Sequence, residues 1–361
     1  MSQFQVHKTN LTESRLVHLP ASGRLTEGQI KVSIEAFAYT ANNITYGVAG
    51  DRLGYWQFFP PVDDQDGEWG ILPVWGFAKV IASHHPEISV GERFYGYFPP
   101  ATSLIMMPQN IKPHRFLEAS PHRQVLPAGY NFYSRVQAEP HYDPAHDKAR
   151  MLLAPLHITA YFIWDHLQDK NWFGAKRVII LSASSKTSTG LAFALQQDEN
   201  SAEVIGLTST RNLAAVRETG LYQHVHTYEE IHTLDPTIPT VMVDMAGNRK
   251  VQKSLFDHLG TNFLHSINVG ITHWTAGGEA SPELKQKSEL FFAPMIIQKR
   301  IKDWGYPEYE KRTQRFLAAS AGHTSQWLQF RDVNGLEELA AIHADVCAGK
   351  IPANQGLIVT V

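Results

Sequence analysis

Residues 182–188, "SASSKTS", concentrate side chains that could bind phosphate. They follow the apolar run "VIIL", which predicts a buried strand, and lead into "STGLAFAL", which predicts a helix. A helix N-terminus presents unused backbone N–H groups and the positive end of the helix dipole, and both favour an anion. This turn therefore predicts a phosphate site built from hydroxyl donors and one compact cation: Ser184, Ser185, Lys186, Thr187 and Ser188.

The same turn also has a purely structural interpretation. Ser and Thr are preferred at helix N-caps whether or not a ligand binds. Dinucleotide-binding turns usually contain glycines, which let the backbone approach a pyrophosphate closely, but the first glycine here is Gly190, inside the predicted helix. Taken alone, the turn leaves both interpretations open. In a third interpretation, the Lys186 side chain closes the turn and no dinucleotide binds.

A second polar turn follows the next predicted strand, "AEVIGLT". In a dinucleotide fold this position holds either an acidic residue for the ribose of NAD or an arginine for the 2′-phosphate of NADP. The sequence has no Asp or Glu here, whereas Arg211 can grip phosphate oxygens through two N–H groups. A helix cap at Thr210 or Asn212 is the structural alternative. The two turns together favour NADP(H), with further cofactor contacts from Ser209, Arg211 and Asn212.

Strands and helices alternate from Leu152 onwards. Apolar strands separated by helices predict a parallel sheet that is covered on both faces. The first 150 residues instead contain short β segments such as "QIKVSIEAFAY", whose alternation puts Ile30, Val32, Ile34 and Ala36 on one face. Residues 113–147 are rich in Pro, His and Tyr and predict a long loop with short helices. The cations and phenols of this loop could hold an acidic substrate, although solvated packing is the default: Arg123, Tyr130, Tyr133 and Arg135.

Composition narrows the class of protein. A chain of 361 residues exceeds the size at which one core usually stops growing, so we expect two domains. The formal net charge of −3 gives no electrostatic basis for binding nucleic acid or an anionic membrane. Cys347 is the only cysteine, which excludes an internal disulfide and a Cys-rich zinc site. With neither a signal-peptide pattern nor an apolar run of about 20 residues, we expect a cytoplasmic protein with a small-molecule substrate.

The order of these segments resembles the medium-chain dehydrogenase/reductase superfamily. "GQIKVSIEAFAYTANNITYGVAG" resembles the opening of its GroES-like catalytic domain, and "LLAPLHITAYFIW" the helix before its nucleotide-binding strand. More closely, "TANNITY", "VWGFA", "GERFYGYFP", "SASSKTS", "GLTS" and "VDMAG" together resemble the DUF2855 family. That family has no assigned function, so the resemblance implies a fold and a cofactor class but no substrate.

The resemblance implies an α/β protein with two domains. A GroES-like, β-rich catalytic domain would cover residues 1–150 and be completed by residues 295–361, including the strand "GLIVTV". A Rossmann-type, doubly wound parallel sheet would cover residues 151–294. Zinc-dependent members of the superfamily carry a Cys near residues 40–42 and a His-Glu pair where this chain has Phe77 and Ala78. Neither is present, so we expect no metal.

The substrate side of the site is also placed by the resemblance. Asn42, Asn43, Thr45 and Tyr46 fall in the segment that lines the nicotinamide, where an amide or phenol could stabilise a developing oxyanion or donate a proton. A polar turn is the alternative. Val269 and Gly270 resemble the backbone that approaches the carboxamide. His273 would stand near the cleft as a proton donor or a hydrogen-bonded core residue. The predicted catalytic set is thus Asn43, Thr45, Tyr46 and His273.

Two classes of function remain open. The first is an NADPH-dependent, zinc-free reductase of an activated alkene, a quinone or a carbonyl compound. The second is a non-catalytic NADPH-binding or regulatory protein that keeps the reductase fold. We also expect a homodimer, because the strand "NFLHSINVG" would lie near the sheet edge, and an apolar edge is usually paired or covered.

Overall fold

The computed structural model describes residues 1–18, 24–140, 142–269 and 281–361. Its contacts divide the chain into two units. Unit 1 consists of Met1–Leu152, Gln329–Ile351 and Gln355–Val361, and unit 2 of Leu153–Leu328 and Pro352–Asn354. In the described part of the chain, no helix is long and apolar enough to cross a membrane.

The strands are numbered in chain order. Strands β1 to β10 are Ser2–His7, Ser14–His18, Ile30–Tyr39, Trp69–Gly70, Val74–Ser83, Arg93–Phe98, Ser103–Met106, Pro108–Gln109, Arg115–Glu118 and Phe132–Arg135. Strands β11 to β18 are Arg177–Leu181, Glu203–Thr208, His224–Thr227, Thr240–Asp244, Phe263–Asn268, Ser288–Leu290, Gln329–Asn334 and Gln355–Thr360.

The α-helices are numbered in the same way and are joined by short 3₁₀ turns. Helices α1 to α5 are Ala41–Val48, Asp147–Asp169, Lys186–Gln196, Leu213–Glu218 and Arg249–Leu259. Helices α6 to α9 are Pro282–Gln286, Ala293–Trp304, Tyr306–Thr324 and Gly335–Cys347.

Unit 1 is built around a nine-stranded sheet. Its order is β17-β18-β3-β5-β6-β10-β9-β8, with β7 also paired to β3, and β1, β2 and β4 form a separate three-stranded sheet. The chain end enters the large sheet because β18 pairs antiparallel with β3 and parallel with β17. In β3 the predicted alternation holds as far as Ile34. Register shifts at the Ile34/Ala36 step then leave Ala36 half-buried and bury Phe37 completely.

Unit 2 contains a six-stranded parallel sheet of order β13-β12-β11-β14-β15-β16. Alternate residues of β11 enter different apolar clusters, as the period of two along a strand requires. Val178 and Ile180 pack in a cluster with residues of α2, α3, α7 and α8, whereas Ile179 and Leu181 pack with residues of α5. Both faces of the sheet are therefore covered, which explains why all five residues of β11 are buried and apolar or paired.

The boundary near the end of unit 2 differs from the sequence expectation of residue 294. Residues 295–328 group with unit 2, because the aromatic side chains of α7 and α8 pack against α2. The ring of Phe162 stacks on Trp304 and on Tyr309, and Tyr161 packs on Phe316 with ring centroids 5.1 Å apart. The packing of α8 on α2 was not predicted from "YPEYEKRTQRFLAASAGHT", because the few apolar residues of this segment are separated by charged ones.

Two local expectations were wrong, and one structural alternative is excluded. The segment "ANNITYGV", for which a polar turn was the alternative, is a helix, α1. The 113–147 region contributes two strands, β9 and β10, to the large sheet of unit 1. The strand "NFLHSINVG" is not at the edge, because β15 pairs with β14 on one side and with β16 on the other. The edge-strand argument for a homodimer therefore no longer applies to β15.

Candidate functional site

The first polar turn begins with a residue in an unusual conformation. Ser182, directly after β11, has a φ of 56°, in the left-handed region where glycine is favoured. Its N–H donates to the hydroxyl of Tyr228 at 3.1 Å, and Tyr228 itself follows β13. The chain thus uses a serine where dinucleotide turns commonly have glycine, and a tyrosine from a neighbouring strand end supports it.

Ser185 and Ser188 are used in capping helix α3. The Ser185 hydroxyl accepts from the Ser188 N–H at 3.0 Å and donates to the Ser188 hydroxyl at 2.8 Å. Ser188 is fully buried and donates onward to the carbonyl of Ser182 at 2.9 Å. These two predicted cofactor residues shape the turn from within. The N–H of Thr187, in the same helical turn, is not used by this cap, and Thr187 is partly exposed.

The two predicted turns lie side by side. The side-chain amide of Asn212 donates to the hydroxyl of Ser184 at 3.0 Å, which joins the turn after β12 to the turn after β11. Ser209 precedes the 3₁₀ turn Thr210–Asn212, and Arg211 is exposed within that turn. The structure thus places the turn that carries Ser209, Arg211 and Asn212 beside the turn that carries Ser184.

Lys186 contacts the returning chain end. Its Nζ donates to the carbonyl of Ala353 at 3.0 Å, within unit 2. Burial of the ammonium lowers the pKa of Lys186 to about 8, although the residue as a whole keeps partial exposure. Next to this contact is a narrow cleft lined by Ser184, Thr189, Ala215, Val216, Thr219, Trp327, Ala353 and Asn354.

A polar network also lies at the carboxyl ends of β14 and β15. The buried carboxylate of Asp244 accepts from the N–H groups of Ala246 and Gly247 at 2.8 and 3.1 Å, and from the amide of Gln252. The Val269 N–H donates to the Asp244 carbonyl at 2.8 Å. These bonds fix the loop after β14 and the start of the segment that follows β15. The other predicted residues of that segment, Gly270 and His273, lie outside the described residues.

The predicted catalytic residues of unit 1 lie on helix α1. The side chain of Asn43 is already used in two structural hydrogen bonds. Its oxygen accepts from the Thr40 N–H and its amide donates to the Pro73 carbonyl, both at 2.7 Å. Thr45 is partly exposed. Tyr46 is 6% exposed, and burial raises the pKa of its phenol.

Tyr46 belongs to an aromatic cluster formed with Tyr55, Trp75, Tyr97 and Tyr130. The ring of Tyr46 is 4.7 Å from that of Tyr55 and 5.6 Å from that of Tyr97, measured between centroids. Tyr97 in turn lies 5.1 Å from Trp75 and 4.8 Å from Tyr130. Tyr46 and Tyr130 were candidates from the sequence, whereas Trp75 and Tyr97 were not, because they lie on β5 and β6 in the pattern of ordinary core residues.

Arg123 is buried beside this cluster and does not face solvent. It is 1% exposed, and its guanidinium donates to Asn131, to the Tyr133 hydroxyl and to the Tyr130 carbonyl, each at 2.9 Å. The expected solvated packing of Arg123 is therefore wrong. Arg135 instead pairs with Glu92 in a shallow surface depression of unit 1 that holds none of the predicted cofactor-binding or catalytic residues.

Phe77 and Ala78, which stand where zinc-dependent proteins of the resembled superfamily have a His-Glu pair, are apolar core residues. Phe77 is fully buried, with the guanidinium of Arg93 4.2 Å above its ring. Among the described residues, no group of three or more His, Cys, Asp or Glu side chains is placed to hold a metal ion. The thiol of Cys347 lies beside His343, and burial raises its pKa to about 11, so it is a poor nucleophile near neutral pH.

The fold is that of a two-unit α/β protein, with a β-rich sheet in one unit and a parallel sheet in the other. The chain belongs to the DUF2855 family, described as a protein of unknown function, whose model matches residues 37–352. Both the fold class and the family resemblance inferred from the sequence are confirmed. The sequence has no significant match among curated proteins.

Solved structures of low sequence identity share this fold over their whole length. CurA from Vibrio vulnificus in complex with NADPH has a TM-score of 0.63 at 14% identity, covering 100% of this chain and 99% of that one. Mycobacterial Rv1454c complexed with NADPH has a TM-score of 0.60 at 14% identity, covering 100% of both chains. The quinone oxidoreductase from Coxiella burnetii has a TM-score of 0.53 at 14% identity, covering 100% of this chain and 99% of that one.

Proposed function

We propose that this protein is an NADPH-dependent, zinc-free oxidoreductase that reduces an activated alkene, a quinone or a carbonyl compound. The observation that carries the proposal is the hydrogen bond between Asn212 and Ser184. It joins two donor-rich turns at the carboxyl edge of a parallel sheet, the edge at which such folds bind nucleotides. NADPH is also the ligand of two of the solved structures that share the fold.

The residues of the two turns fit a dinucleotide phosphate. Ser184 accepts from Asn212, so its own proton is available to a ligand, and Thr187 offers a hydroxyl and an N–H at the start of helix α3. Arg211 would take the 2′-phosphate together with Ser209. Lys186 would add charge to the pyrophosphate while its Nζ keeps the Ala353 carbonyl. Ser185 and Ser188 would act indirectly by holding the turn, and Val269 and Gly270 would approach the nicotinamide.

On the substrate side we propose Tyr46 as the proton donor, with Thr45 as a hydrogen-bonding neighbour. A bound nicotinamide supplies the hydride that adds to one carbon of the double bond. The displaced electron pair is taken up by the activating oxygen, and the Tyr46 O–H then delivers the proton that completes the reduction. Asn43 keeps its structural role in α1, and His273 remains a candidate for a second proton donor.

The direct test of this function is NADPH oxidation with enones, quinones and aldehydes as acceptors. We expect one of these classes to be reduced and Tyr46→Phe to slow the reaction by at least about 100-fold, the usual contribution of general acid catalysis. Absence of oxidation with all three classes, in protein that binds NADPH tightly, would overturn the assignment as a reductase.

A second candidate function is favoured by a specific observation. Ser185, Ser188 and Lys186 already hydrogen-bond to protein groups, as they would in a protein that only keeps the fold and binds NADPH without reacting it. Hydride exchange from labelled NADPH to any acceptor would exclude this candidate.

A homodimer also stays a prediction. Sedimentation equilibrium at micromolar concentration measures the oligomeric state, and a monomer there would rule the homodimer out.

A further inference from the structure

Two hydrogen-bond donors beside Tyr46 have no acceptor. The hydroxyl of Tyr97 and the Nε1 of Trp75 are both buried, and neither has a hydrogen-bond partner among the described residues. Tyr97 is fully buried in a unit whose other buried polar side chains are largely paired, as Tyr133 and Arg123 illustrate. Buried donors without a partner are rare in native proteins, and each one calls for an explanation.

The two donors lie around the Tyr46 hydroxyl. The rings of Tyr46 and Tyr97 meet at 90° with centroids 5.6 Å apart, and Trp75 packs on Tyr97 at 5.1 Å. Burial raises the pKa of Tyr46, while Trp75, Asn42 and Tyr97 act against this rise by favouring the phenolate. All three neighbours are therefore close enough to interact with the phenolic oxygen, although in the neutral state neither Tyr97 nor Trp75 reaches hydrogen-bonding geometry.

We propose that Tyr97 and Trp75 are positioning residues, whose O–H and N–H groups receive the phenolate oxygen of Tyr46 after Tyr46 has given its proton to the reduced substrate. This inference rests on Tyr46 being the proton donor. When the Tyr46 O–H bond breaks, its electron pair stays on the phenolic oxygen and the proton completes the product. A proton from solvent later restores the phenol.

The physical reason for assigning this role to Tyr97 and Trp75 is that neither donor has an acceptor in the resting protein. A hydrogen bond to a charged oxygen is shorter and stronger than one to a neutral hydroxyl. The Tyr97 and Trp75 donors have no acceptor while Tyr46 is a neutral phenol, and they gain one when Tyr46 becomes a phenolate. They therefore stabilise the developing phenolate more than the resting state, and stabilisation of this kind raises kcat. The indole N–H suits this role because it can donate but not accept.

Other titratable and charged groups surround the cluster. Tyr55 shares a hydrogen bond of 2.9 Å with Tyr130, in which one phenol donates and the other accepts. Arg123 lowers the pKa of Tyr97, and Arg150 lowers that of Tyr95. The titratable or charged groups around the cluster are Tyr55, Tyr95, Tyr97, Tyr130, Arg123 and Arg150. Among the described residues, the Tyr97 hydroxyl and the Trp75 indole N–H are thus the buried donors of this cluster that have no partner.

The test compares Tyr97→Phe and Trp75→Phe with Tyr133→Phe. We expect the first two variants to lower kcat by about 10- to 100-fold with KM nearly unchanged, since each removes one charge-assisted hydrogen bond. The thermal midpoint of Tyr97→Phe should not fall, because its hydroxyl makes no bond in the resting protein. Tyr133→Phe is the matched control: its hydroxyl bonds Arg123 and the Tyr97 carbonyl, so this variant should lose stability far more than kcat.

A second readout needs neither cofactor nor turnover. A fluorinated tyrosine at position 46 brings its ionisation into an accessible pH range, where fluorine NMR follows it. Tyr97→Phe and Trp75→Phe should each raise that pKa, whereas Tyr133→Phe should not. If Tyr46→Phe is inactive but neither variant changes kcat or this titration, the inference is overturned, and the two donors serve a buried water only. If Tyr46→Phe keeps full activity, the proposed role of Tyr46 itself fails.

Discussion

At the scale of single residues, the proposed phosphate-binding turn has hydroxyls and a lysine where a dinucleotide turn usually has glycines. Ser182 adopts the backbone conformation that glycine usually supplies, and Tyr228 accepts its N–H. Ser185 and Ser188 close the cap, which leaves Ser184, Thr187 and Lys186 nearest to a ligand. Tyr228 was not predicted, although its position directly after the strand "HVHT" would have placed it at the same sheet edge.

The pKa of Lys186 makes cofactor affinity depend on pH. In the free protein the amine is mostly charged at about pH 7 and mostly neutral at about pH 9, because its pKa is lowered to about 8. We expect NADPH affinity to fall as the pH rises through this range. Lys186→Ala should bind NADPH about 10- to 100-fold more weakly near pH 7 and should lose that part of the pH dependence.

Fluorescence titration of NADPH across this pH range measures the effect. Lys253→Ala is the matched control, because Lys253 is exposed on α5 and pairs with Asp257. An unchanged affinity in Lys186→Ala would mean that Lys186 only ties the turn to Ala353.

At the scale of elements, the parallel strands and the helices between them were predictable from sequence, because a doubly covered sheet needs continuous apolar strands. Strands β11, β12 and β14 and helix α3 appear where the apolar periods put them. Helix α1 was missed because its polar residues resemble a turn, although Thr40 and Asn43 form a capping box. The convergence of Trp75 and Tyr97 on Tyr46 depends on strand pairing between β5 and β6 and has no signal along the sequence.

Close packing of helices α2 and α3 depends on Gly190. A Cβ at this position would lie 2.8 Å from the ring of His157, which is fully buried and hydrogen-bonded to Ser320 at 2.9 Å. We expect Gly190→Ala to reduce the free energy of unfolding by about 1–3 kcal/mol through overpacking. Chemical denaturation measures this change.

Gly322 provides the matched control within helix α8. A Cβ at Gly322 would meet no atom within 4 Å. Gly322→Ala should therefore stabilise the protein by about 0.5–1 kcal/mol through helix propensity alone. If the two variants changed stability in the same direction, the α2–α3 contact would not be the tight one described.

At the scale of the whole molecule, the fold is shared with NADPH-bound solved structures at 14% identity. Each unit has its own apolar core, and the chain end contributes to both: Pro352–Asn354 belongs to unit 2 and Gln355–Val361 to unit 1. Within unit 2, the proposed function assigns cofactor specificity to the turn after β12, where Arg211 is exposed.

The measurement that tests the central claim most directly is a pair of dissociation constants, for NADPH and for NADH, on the wild type and on Arg211→Ala. We predict that the wild type prefers NADPH and that Arg211→Ala weakens NADPH binding by about 10- to 100-fold while changing NADH binding little, since only NADPH carries the 2′-phosphate. Arg217→Ala, on the adjacent helix α4, should leave both constants unchanged. Equal affinity of the wild type for the two cofactors, or an equal loss of both in Arg211→Ala, would contradict the account.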